Sequence, residues 1–471
     1  MVLHGLFEMI SGAVRIKWWK YRYVFFATLV LNVVLINYFF FDSSLTHLVS
    51  PSPPLSGVIP TSSPPAFVEA PPLPPPTFSL DDYDFDGPYI GWPLARVCNE
   101  TKWQPGLVFV CDNNSGGIGN IRNFILTCIR YAIDAGASGI IMPRIQRRSE
   151  DDLANLFTTS FQPFSYFFDD AHFRDAIGAY CPQMIIYEDV NTIPHYENRK
   201  EATEFYPKDL NAKDGCDERG INKHLDHFRT KLDEWATKYG NVPSEARPVT
   251  LRFRWATFFE WPVMRDGPEF AATFGDLLRI RKDIQELAAA TINEMATFTG
   301  EQPNNSQPLS PPRYLGVHLR TENDALGFWP DFETQSEGYM KQAGTYHLEH
   351  AYLASGNKSE GLRFGEIALN RLGLKTTSKT DLLKGDKLKQ LNDLSWDQQA
   401  LVDYLVLQKS THFTGCSFSS FAMNIATKRH LMIDGIFSRA WRSPGDQYST
   451  LVGRFDNWFG DWMFMIECMW P

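Results

Sequence analysis

Ionisable side chains follow a short apolar stretch in the second half of the chain. Tyr314 to Leu319 is rich in β-forming residues and follows Ser-Pro-Pro, which predicts a buried strand of a parallel sheet. His318, Arg320, Glu322 and Asp324 lie at its carboxyl end and just beyond. Ligands bind at that end of the strands in open α/β sheets, and an arginine there offers a fork of donors suited to a diphosphate. The alternative is an ordinary surface ion pair between Arg320 and one of the carboxylates.

A glycine-rich loop early in the chain is a second candidate ligand site. Gly106 to Val110 predicts a strand, Cys111 to Asn120 a glycine-rich turn, and the residues from Ile121 onward an amphipathic helix. Such a turn faces the amino end of a helix, where free N–H groups and the helix dipole favour an anion. The loop matches neither a Walker A sequence nor a complete Gly-x-Gly-x-x-Gly, and packing alone is the other use of its glycines.

A group of serines near the carboxyl end forms a third candidate site. His412 to Gly415 predicts a strand and Phe418 to Arg429 a helix, with Ser417, Ser419 and Ser420 around the turn. Serines at such a turn either cap the free N–H groups of the helix or hold a phosphate together with them. Both uses stay open.

Strand and helix patterns alternate on either side of a linker at Gln302 to Pro312. Further strands are predicted at Gly139–Met142, Met184–Tyr187, Val249–Phe253, His350–Ala354, Leu372–Lys375 and Leu431–Ile433, and further helices at Phe274–Thr297 and Trp396–Lys409. This alternation predicts parallel sheets covered by helices, in two α/β domains with a cleft between them. We place the domains at 87–307 and 308–471.

The amino-terminal region predicts a membrane anchor. Residues 23–41 are almost all apolar and, at about 1.5 Å per residue, long enough to cross a bilayer as a helix. Basic residues precede this run and Asp42 follows it, so residues 1–22 form a cytosolic tail. A cleaved signal peptide is the alternative, although its apolar part is usually shorter. Residues 42–86 are Pro- and Ser-rich and predict an extended stem.

Composition and charge exclude some classes of protein. With 471 residues, 44% of them hydrophobic, the chain can bury substantial cores. The formal net charge of −10 gives no support to a nucleic-acid binder. No zinc-ligand spacing occurs, so we predict no structural metal. The Asp-x-Asp spacing within 81–86 could hold a metal on a nucleotide diphosphate, but no strand precedes it, which favours a solvated acidic linker.

The cysteines and glycosylation acceptors fit a lumenal location for everything after the anchor. All 7 cysteines lie beyond the anchor, where disulfides are permitted, and the odd number leaves at least one free or intermolecular. Asn-x-Ser/Thr acceptors occur at Asn99, Asn113, Asn304 and Asn357.

Taken in order, these blocks resemble the protein O-fucosyltransferase family and its relatives that use GDP-fucose. They are Gly116-Gly-Ile-Gly-Asn-Ile-Arg122, Val317-His-Leu-Arg-Thr-Glu-Asn-Asp324, and Val402-Asp-Tyr404 followed by His412-Phe-Thr-Gly and Ser419-Ser-Phe421. Between them, Ala351-Tyr-Leu-Ala-Ser-Gly356 is similar to the second strand of the family's carboxyl domain. The likeness spans about Leu107 to Arg429.

The resemblance implies a GT-B-like α/β fold of two Rossmann-like domains, with GDP in the cleft between them. It implies transfer of fucose from GDP-fucose to a glycan or protein hydroxyl, with no metal or other cofactor. It assigns Gly117, Gly119 and Asn120 to the sugar-phosphate side, His318 and Arg320 to the diphosphate, Asp403 and Phe421 to the nucleoside, and Ser419 and Ser420 to the phosphates. Arg122, in the first of these blocks, is a further substrate-binding candidate. Arg320 would also neutralise the leaving group as the C1–O bond breaks.

The chain departs from the family pattern at one important position. Some members carry a glutamate in the glycine-rich loop as the base that activates the acceptor hydroxyl, whereas this chain has Ile118. Glu322 and Asp324 are nearby candidates, and the base stays unassigned. The anchor, and the lack of a retention signal in the last residues, point toward the Golgi or endoplasmic reticulum membrane.

Two rival functions stay open at this point. One is a lumenal transferase that uses another nucleotide sugar, and the other is a catalytically inactive relative that binds glycans. An arginine and serines placed on a diphosphate favour an enzyme over a lectin. The acceptor cannot be read from the sequence.

Overall fold

The structure is a computed structural model of the full chain. It describes residues 83, 85, 87–149, 152, 155, 160–201, 224–254, 261–300, 312–322, 329–417, 419–434, 446–453 and 468–471. The predicted tail 1–22, the anchor 23–41 and nearly all of the stem 42–86 lie outside these residues. Among the residues just given, no helix combines the length and apolar character needed to cross a bilayer.

A parallel sheet forms the framework of the amino-terminal half. Its strands are β1 (Gln104–Val110), β2 (Ala137–Ile141), β3 (Ile145–Gln146), β4 (Phe161–Gln162), β5 (Ile185–Tyr187), β6 (Lys200–Glu201) and β7 (Val249–Arg252). The sheet order is β5-β2-β1-β7-β6, and β3 and β4 make a separate antiparallel pair. β1 lies at the centre because its last residues, Leu107 to Val110, are apolar and buried on both faces.

A second parallel sheet forms the framework of the carboxyl-terminal half. Its strands are β8 (Leu315–His318), β9 (His350–Ala354), β10 (Lys375–Thr377), β11 (His412–Cys416) and β12 (Ser449–Val452), in the order β10-β9-β8-β11-β12. The strand predicted from Tyr314 to Leu319 is confirmed as the central, fully buried β8. The polar residues that follow it therefore lie at the carboxyl edge of the sheet.

Helices cover both sheets. In the first half they are α1 (Trp92–Glu100), α2 (Ile118–Ala135), α3 (Asp170–Tyr180), α4 (His224–Lys238), α5 (Pro268–Thr273) and α6 (Lys282–Thr299). In the second half they are α7 (Phe332–Thr345), α8 (Lys358–Leu372), α9 (Lys379–Leu382), α10 (Gly385–Asn392), α11 (Trp396–Gln408) and α12 (Ser420–Asp434). Short 3-10 turns cover Phe164–Tyr166, Val190–Thr192, Tyr196–Asn198, Val263–Asp266 and Phe274–Leu277.

Helix packing joins the two halves. α6 lies along α11, and α2 lies against α12. One cluster of buried apolar side chains continues from Ile129 and Ile292 in the first half to Val402 in the second. The Tyr166 hydroxyl adds polar contacts at the start of α11, 2.6 Å from Ser395 Oγ and 2.8 Å from Asp397 Oδ1. Residues of the two halves that face each other therefore lie on helices that pack against one another.

The last residues of the chain pack into the first half, although the predicted boundary places them in the second domain. Arg122 on α2 donates to the carbonyl of Trp470 at 2.7 Å and to the oxygen of Pro471 at 2.5 Å. Asn123 accepts from the Trp470 backbone N–H at 2.9 Å. The indole of Trp470 is fully buried and donates to Thr127 at 3.1 Å. Residues 468–471 thus complete the packing around α2.

Disulfides link elements of the first half. Cys98 at the end of α1 bonds to Cys181 after α3, and Cys111 after β1 bonds to Cys128 in α2. Cys468 is also disulfide-bonded, and Cys416 is a buried thiol. The Cys111–Cys128 bridge spans the glycine-rich loop, so it ties the strand before that loop to the helix after it.

Some predicted elements are wrong or shifted. The predicted strand Leu431–Ile433 is the end of α12, and the strand beside β11 is Ser449–Val452. An apolar run of this length fits a strand and a buried helix turn equally well. The predicted helix Phe274–Thr297 is divided into a 3-10 turn and α6. Tyr83, inside the predicted acidic linker, is buried against the core.

Candidate active site

His318 lies at the end of β8, at the carboxyl edge of the second sheet. Its ring is buried, and burial lowers its pKa to about 4 despite the nearby Glu322 carboxylate, so the imidazole is neutral at physiological pH. Nδ1 has no hydrogen-bond partner among the described residues. A buried ring nitrogen left without a partner is costly unless a ligand or water bonds to it. The neutral ring is therefore suited to a hydrogen bond with a bound ligand.

Arg320 and Glu322 form an ion pair just beyond β8. Nη1 of Arg320 donates to Oε2 of Glu322, and the two side chains are only 12% and 9% exposed. Arg320 therefore pairs with Glu322, as the alternative from the sequence expects, but the pair is largely buried and is not an ordinary surface ion pair. The guanidinium carbon also lies 5.1 Å from the centre of the Trp329 ring. An aromatic face at that distance favours a cation and limits how far the arginine can swing.

Glu322, a candidate catalytic base from the sequence, has a hydrogen-bond partner on each carboxylate oxygen. Its second oxygen, Oε1, accepts a hydrogen bond from the backbone N–H of Gly356 at 2.7 Å. A Cβ atom added at Gly356 would lie 2.6 Å from that oxygen, which explains the glycine there. Arg320 and the Gly356 N–H thus each bind one oxygen of this carboxylate. Glu322 is thus a positioning residue for Arg320. The other candidate base, Asp324, lies outside the described residues.

Two side chains of α7 that the sequence did not single out fix the backbone around Arg320. Gln335 is fully buried, accepts from the Arg320 N–H at 2.9 Å and donates to the Arg320 carbonyl at 2.8 Å. The hydroxyl of Tyr339 lies 2.9 Å from the His318 carbonyl and 3.0 Å from Oε1 of Gln335, so its one proton is shared between these two acceptors. Gln335 and Tyr339 are four positions apart and therefore lie on the same buried face of an amphipathic helix. This spacing is the sequence signal from which they could have been predicted.

The amino end of α12 lies beside His318. The Phe421 ring centre is 4.6 Å from that of His318, and the Ser419 side chain accepts from the Ala422 N–H at a long 3.5 Å. Ser417 Oγ is buried and has no partner in the described part of the chain. The weak cap at Ser419 and the unused hydroxyl of Ser417 leave this helix end able to bind an anion.

The glycine-rich loop meets this helix end directly. A Cβ atom added at Gly119 would lie 2.6 Å from the carbonyl carbon of Ser420 and 2.8 Å from the nitrogen of Phe421. Only glycine permits so close an approach. Gly117 is the cap residue of α2, and Asn120 lies half-buried in its first turn. The amino ends of α2 and α12 therefore meet beside His318, and their dipoles add at one place.

Arg122 and Asp403 both have hydrogen-bond partners within the protein. Both carbonyl contacts of Arg122 are with residues 470 and 471, so its guanidinium is a structural anchor. Asp403 on α11 is bonded by the Tyr352 hydroxyl at 2.6 Å and by the ammonium group of Lys379 at 2.6 Å. It still lies on the His318 side of the sheet, because His318 pairs with Ala354, and Tyr352 is two residues earlier on the same strand.

These features define a class of protein. Two packed halves, each with a parallel α/β sheet, place a neutral histidine and two helix amino ends together, with Arg320 two residues beyond the histidine. No group of three or more His, Cys, Asp or Glu side chains in the described ranges could hold a metal ion. The fold is a two-sheet α/β arrangement with polar side chains and two helix amino ends at the carboxyl edge of the second sheet.

Sequence comparison gives the family. A family model for GDP-fucose protein O-fucosyltransferase matches residues 107–432, and the chain belongs to this family. Membership makes it a glycosyltransferase of the fucosyltransferase type. The matched segment contains every site residue discussed above. A search of curated proteins found no match.

Solved structures of fucosyltransferases are also similar to this chain. POFUT1 in complex with GDP-fucose matches at 14% identity with a TM-score of 0.44, covering 75% of this chain and 99% of POFUT1. FUT1 from Arabidopsis thaliana in complex with GDP matches at 10% identity with a TM-score of 0.35, covering 71% of each chain. NodZ from Bradyrhizobium matches at 14% identity with a TM-score of 0.31, covering 68% of this chain and 90% of NodZ. The assignment rests on the family match, since these similarities are low.

Proposed function

We propose that the chain is a type II membrane glycosyltransferase that transfers fucose from GDP-fucose to a hydroxyl group of a glycan or protein. The observation that carries the proposal is the meeting of the α2 and α12 amino ends beside His318 and Arg320. This point collects backbone N–H donors, a neutral imidazole and a guanidinium, the groups that bind a diphosphate. Family membership supports GDP-fucose as the donor.

The chemistry follows from where the charges lie. During transfer, the bond between C1 of fucose and the β-phosphate oxygen breaks, and a new bond forms from C1 to the acceptor oxygen. Negative charge grows on the departing GDP, and Arg320 and the helix amino ends stabilise it. The proton of the acceptor hydroxyl leaves to a base or to solvent. Because Arg320 and Glu322 are nearly buried, solvent screens the charge of the Arg320 guanidinium less than it would at the surface.

The supporting residues fix the arginine before the donor binds. Glu322 holds the guanidinium, Gln335 holds the backbone of Arg320, and Tyr339 holds the carbonyl of His318. Transition-state stabilisation depends on donors that need no reorganisation during the reaction. In this proposal Glu322, Gln335 and Tyr339 act by positioning Arg320 and His318.

The cellular setting of the proposal rests on the sequence. The apolar run 23–41 with its basic flank favours an anchor, with the catalytic part in the lumen of the Golgi or endoplasmic reticulum. The disulfides at Cys98–Cys181 and Cys111–Cys128 are consistent with that compartment, which permits oxidation.

Donor binding and turnover by the purified full-length chain in detergent test this function. Calorimetric titration should show GDP binding and no comparable binding of UDP. Labelled GDP-fucose should release GDP faster in the presence of secretory glycoproteins or peptides. Preference for UDP would indicate another nucleotide-sugar transferase, and GDP binding with no turnover on any acceptor would indicate an inactive relative.

A further inference from the structure

A charged pair lies at the carboxyl edge of the first sheet. Arg252 is the last residue of β7 and is level with Val110 at the end of β1. Asp112 comes two residues after Val110, and its Oδ1 lies 3.0 Å from Nε of Arg252. The side chains of Arg252 and Asp112 are 41% and 24% exposed. A guanidinium and a carboxylate are therefore presented side by side to the space beyond the ends of the strands.

The chain path brings this pair within reach of His318. α2 begins after the loop that leaves the carboxyl edge of the first sheet, and α12 begins at the same edge of the second sheet. Because Gly119 of α2 meets Ser420 of α12, the two carboxyl edges face each other there. Asp112 precedes Gly117, the cap of α2, by five residues, which extended chain spans in about 18 Å at most. The pair thus lies on the wall that the first half contributes to the site.

The pair leaves most of its hydrogen-bonding capacity unused. Nη2 of Arg252 donates to Oδ2 of Asp112 at 3.2 Å, whereas Nε is not aligned with Oδ1 and has no hydrogen-bond partner among the described residues. A guanidinium has five N–H donors and a carboxylate about four lone-pair positions. The buried pair of Arg130 and Asp266 differs, because Nε and Nη2 both donate there, at 2.9 and 2.5 Å. Arg252 and Asp112 therefore keep donors and acceptors for a ligand.

Two neighbouring hydroxyl groups of a sugar match such a pair. Each hydroxyl can donate and accept, so one donates to the carboxylate while the other accepts from the guanidinium. A pyranose offers hydroxyls next to the one that reacts, so it can be held by two of them while a third attacks C1 of fucose. A serine or threonine side chain has a single hydroxyl, and that hydroxyl is the reacting group.

We infer that Asp112 and Arg252 bind two neighbouring hydroxyl groups of the acceptor, and that the acceptor is therefore a glycan. This inference rests on the proposed function, because it names the acceptor class of that transfer. Both residues determine specificity: they hold the acceptor sugar, and the breaking C1–O bond lies at the diphosphate.

Transfer to simple acceptors tests the inference on the wild-type chain. The purified full-length chain in detergent would receive labelled GDP-fucose with the methyl glycosides of galactose, glucose, mannose and N-acetylglucosamine, or with a mixture of Ser- and Thr-containing peptides. At least one glycoside should accept fucose, and the peptides should not. Single-deoxy analogues of that glycoside, each lacking one hydroxyl beside the reacting one, should have a KM about 10- to 100-fold higher at similar kcat, the loss expected for one hydrogen bond to a charged group.

Three results would overturn the inference while GDP still binds in calorimetric titration. They are transfer to the peptides and to none of the glycosides, transfer to none of these acceptors, and deoxy analogues that serve as well as the parent glycoside. Absence of GDP binding would instead overturn the proposed function itself.

Substitution then links the acceptor preference to Asp112. Asp112→Asn keeps the size of the side chain and removes its charge, so KM for the glycoside should rise about 10-fold while the Kd of GDP stays unchanged. One deoxy analogue should then be distinguished from the parent glycoside less than in the wild type. The matched control is Glu188→Gln, which neutralises a carboxylate paired with Arg174 just after β5, at the same edge of the sheet, and should change neither value. Wild-type discrimination in a folded Asp112→Asn variant would contradict the assignment. If that variant loses its fold, the deoxy analogues tested on the wild type still decide.

Discussion

Replacement of Arg320 separates its catalytic use from its structural use. Arg320→Ala removes the guanidinium that we propose stabilises the departing GDP. Removing one preorganised donor of this kind typically costs about 3 to 4 kcal/mol in the transition state, or roughly two to three orders of magnitude in turnover. Arg320→Lys keeps the charge and loses the planar fork, so we expect severe impairment there too.

The structure also predicts a stability cost for the same substitution. Glu322 would lose its partner while buried, and breaking a buried pair typically costs about 3 to 5 kcal/mol. The Gly356 N–H still satisfies Oε1, which favours the lower end of that range. A fall in turnover could then reflect partial unfolding. The double variant Arg320→Ala/Glu322→Gln removes the unpaired charge and keeps an amide oxygen for Gly356.

The double variant therefore decides between the two effects. We expect its Tm to recover toward that of the wild type while turnover stays as low as in Arg320→Ala. Steady-state release of GDP from GDP-fucose and thermal unfolding would be measured on the same preparations. Arg363→Ala serves as control, because Arg363 pairs with Glu333 on the exposed surface and should not affect turnover. Near-normal turnover in a stable double variant would refute the role given to Arg320.

Further outcomes test other parts of the account. Transfer should survive EDTA, since Arg320 and the helix ends supply the positive charge; activity restored only by manganese would contradict this. Glycosidase treatment of the expressed protein should increase its gel mobility. Asn99→Gln, at an exposed acceptor, should remove part of that mobility shift. An unchanged mobility, together with a carboxyl end that protease reaches in sealed microsomes, would contradict the lumenal orientation. Burial lowers the pKa of His412 to about 4, so the unfolded chain binds a proton below about pH 6.5 that the folded chain excludes. The free energy of unfolding should fall by about 3 kcal/mol for this residue from pH 6.5 to 4, and His412→Gln should reduce that slope in urea titrations.

Local patterns predicted the elements that build the site. The apolar run ending at His318, the glycine-rich turn before α2 and the serines before α12 all carry their signal within a few residues. The structure places all three at one point. Local patterns could not predict that these three segments meet, because the close approach of Gly119 to Ser420 joins segments that are distant in sequence.

The roles of individual charged residues could not be predicted in the same way. Arg122 stands inside a block that resembles a ligand loop, but its partners at 470 and 471 are about 350 positions away. The role of Glu322 depends on Gly356, and that of Asp403 on Lys379, contacts that neither periodicity nor local spacing encodes. Such contacts depend on how strands and helices align in space.

The anchoring of residues 468–471 on α2 has a consequence for synthesis of the chain. α2 is made early in synthesis of the chain, whereas the residues whose carbonyl groups accept from Arg122 follow up to 349 positions later. At the usual rates of translation, this interval lasts roughly 20 to 70 s. During that time the polar side chains of α2 that bind residues 470 and 471 lack the hydrogen-bond partners they have in the finished protein. The packing around α2 is therefore completed only after residues 468–471 have been made.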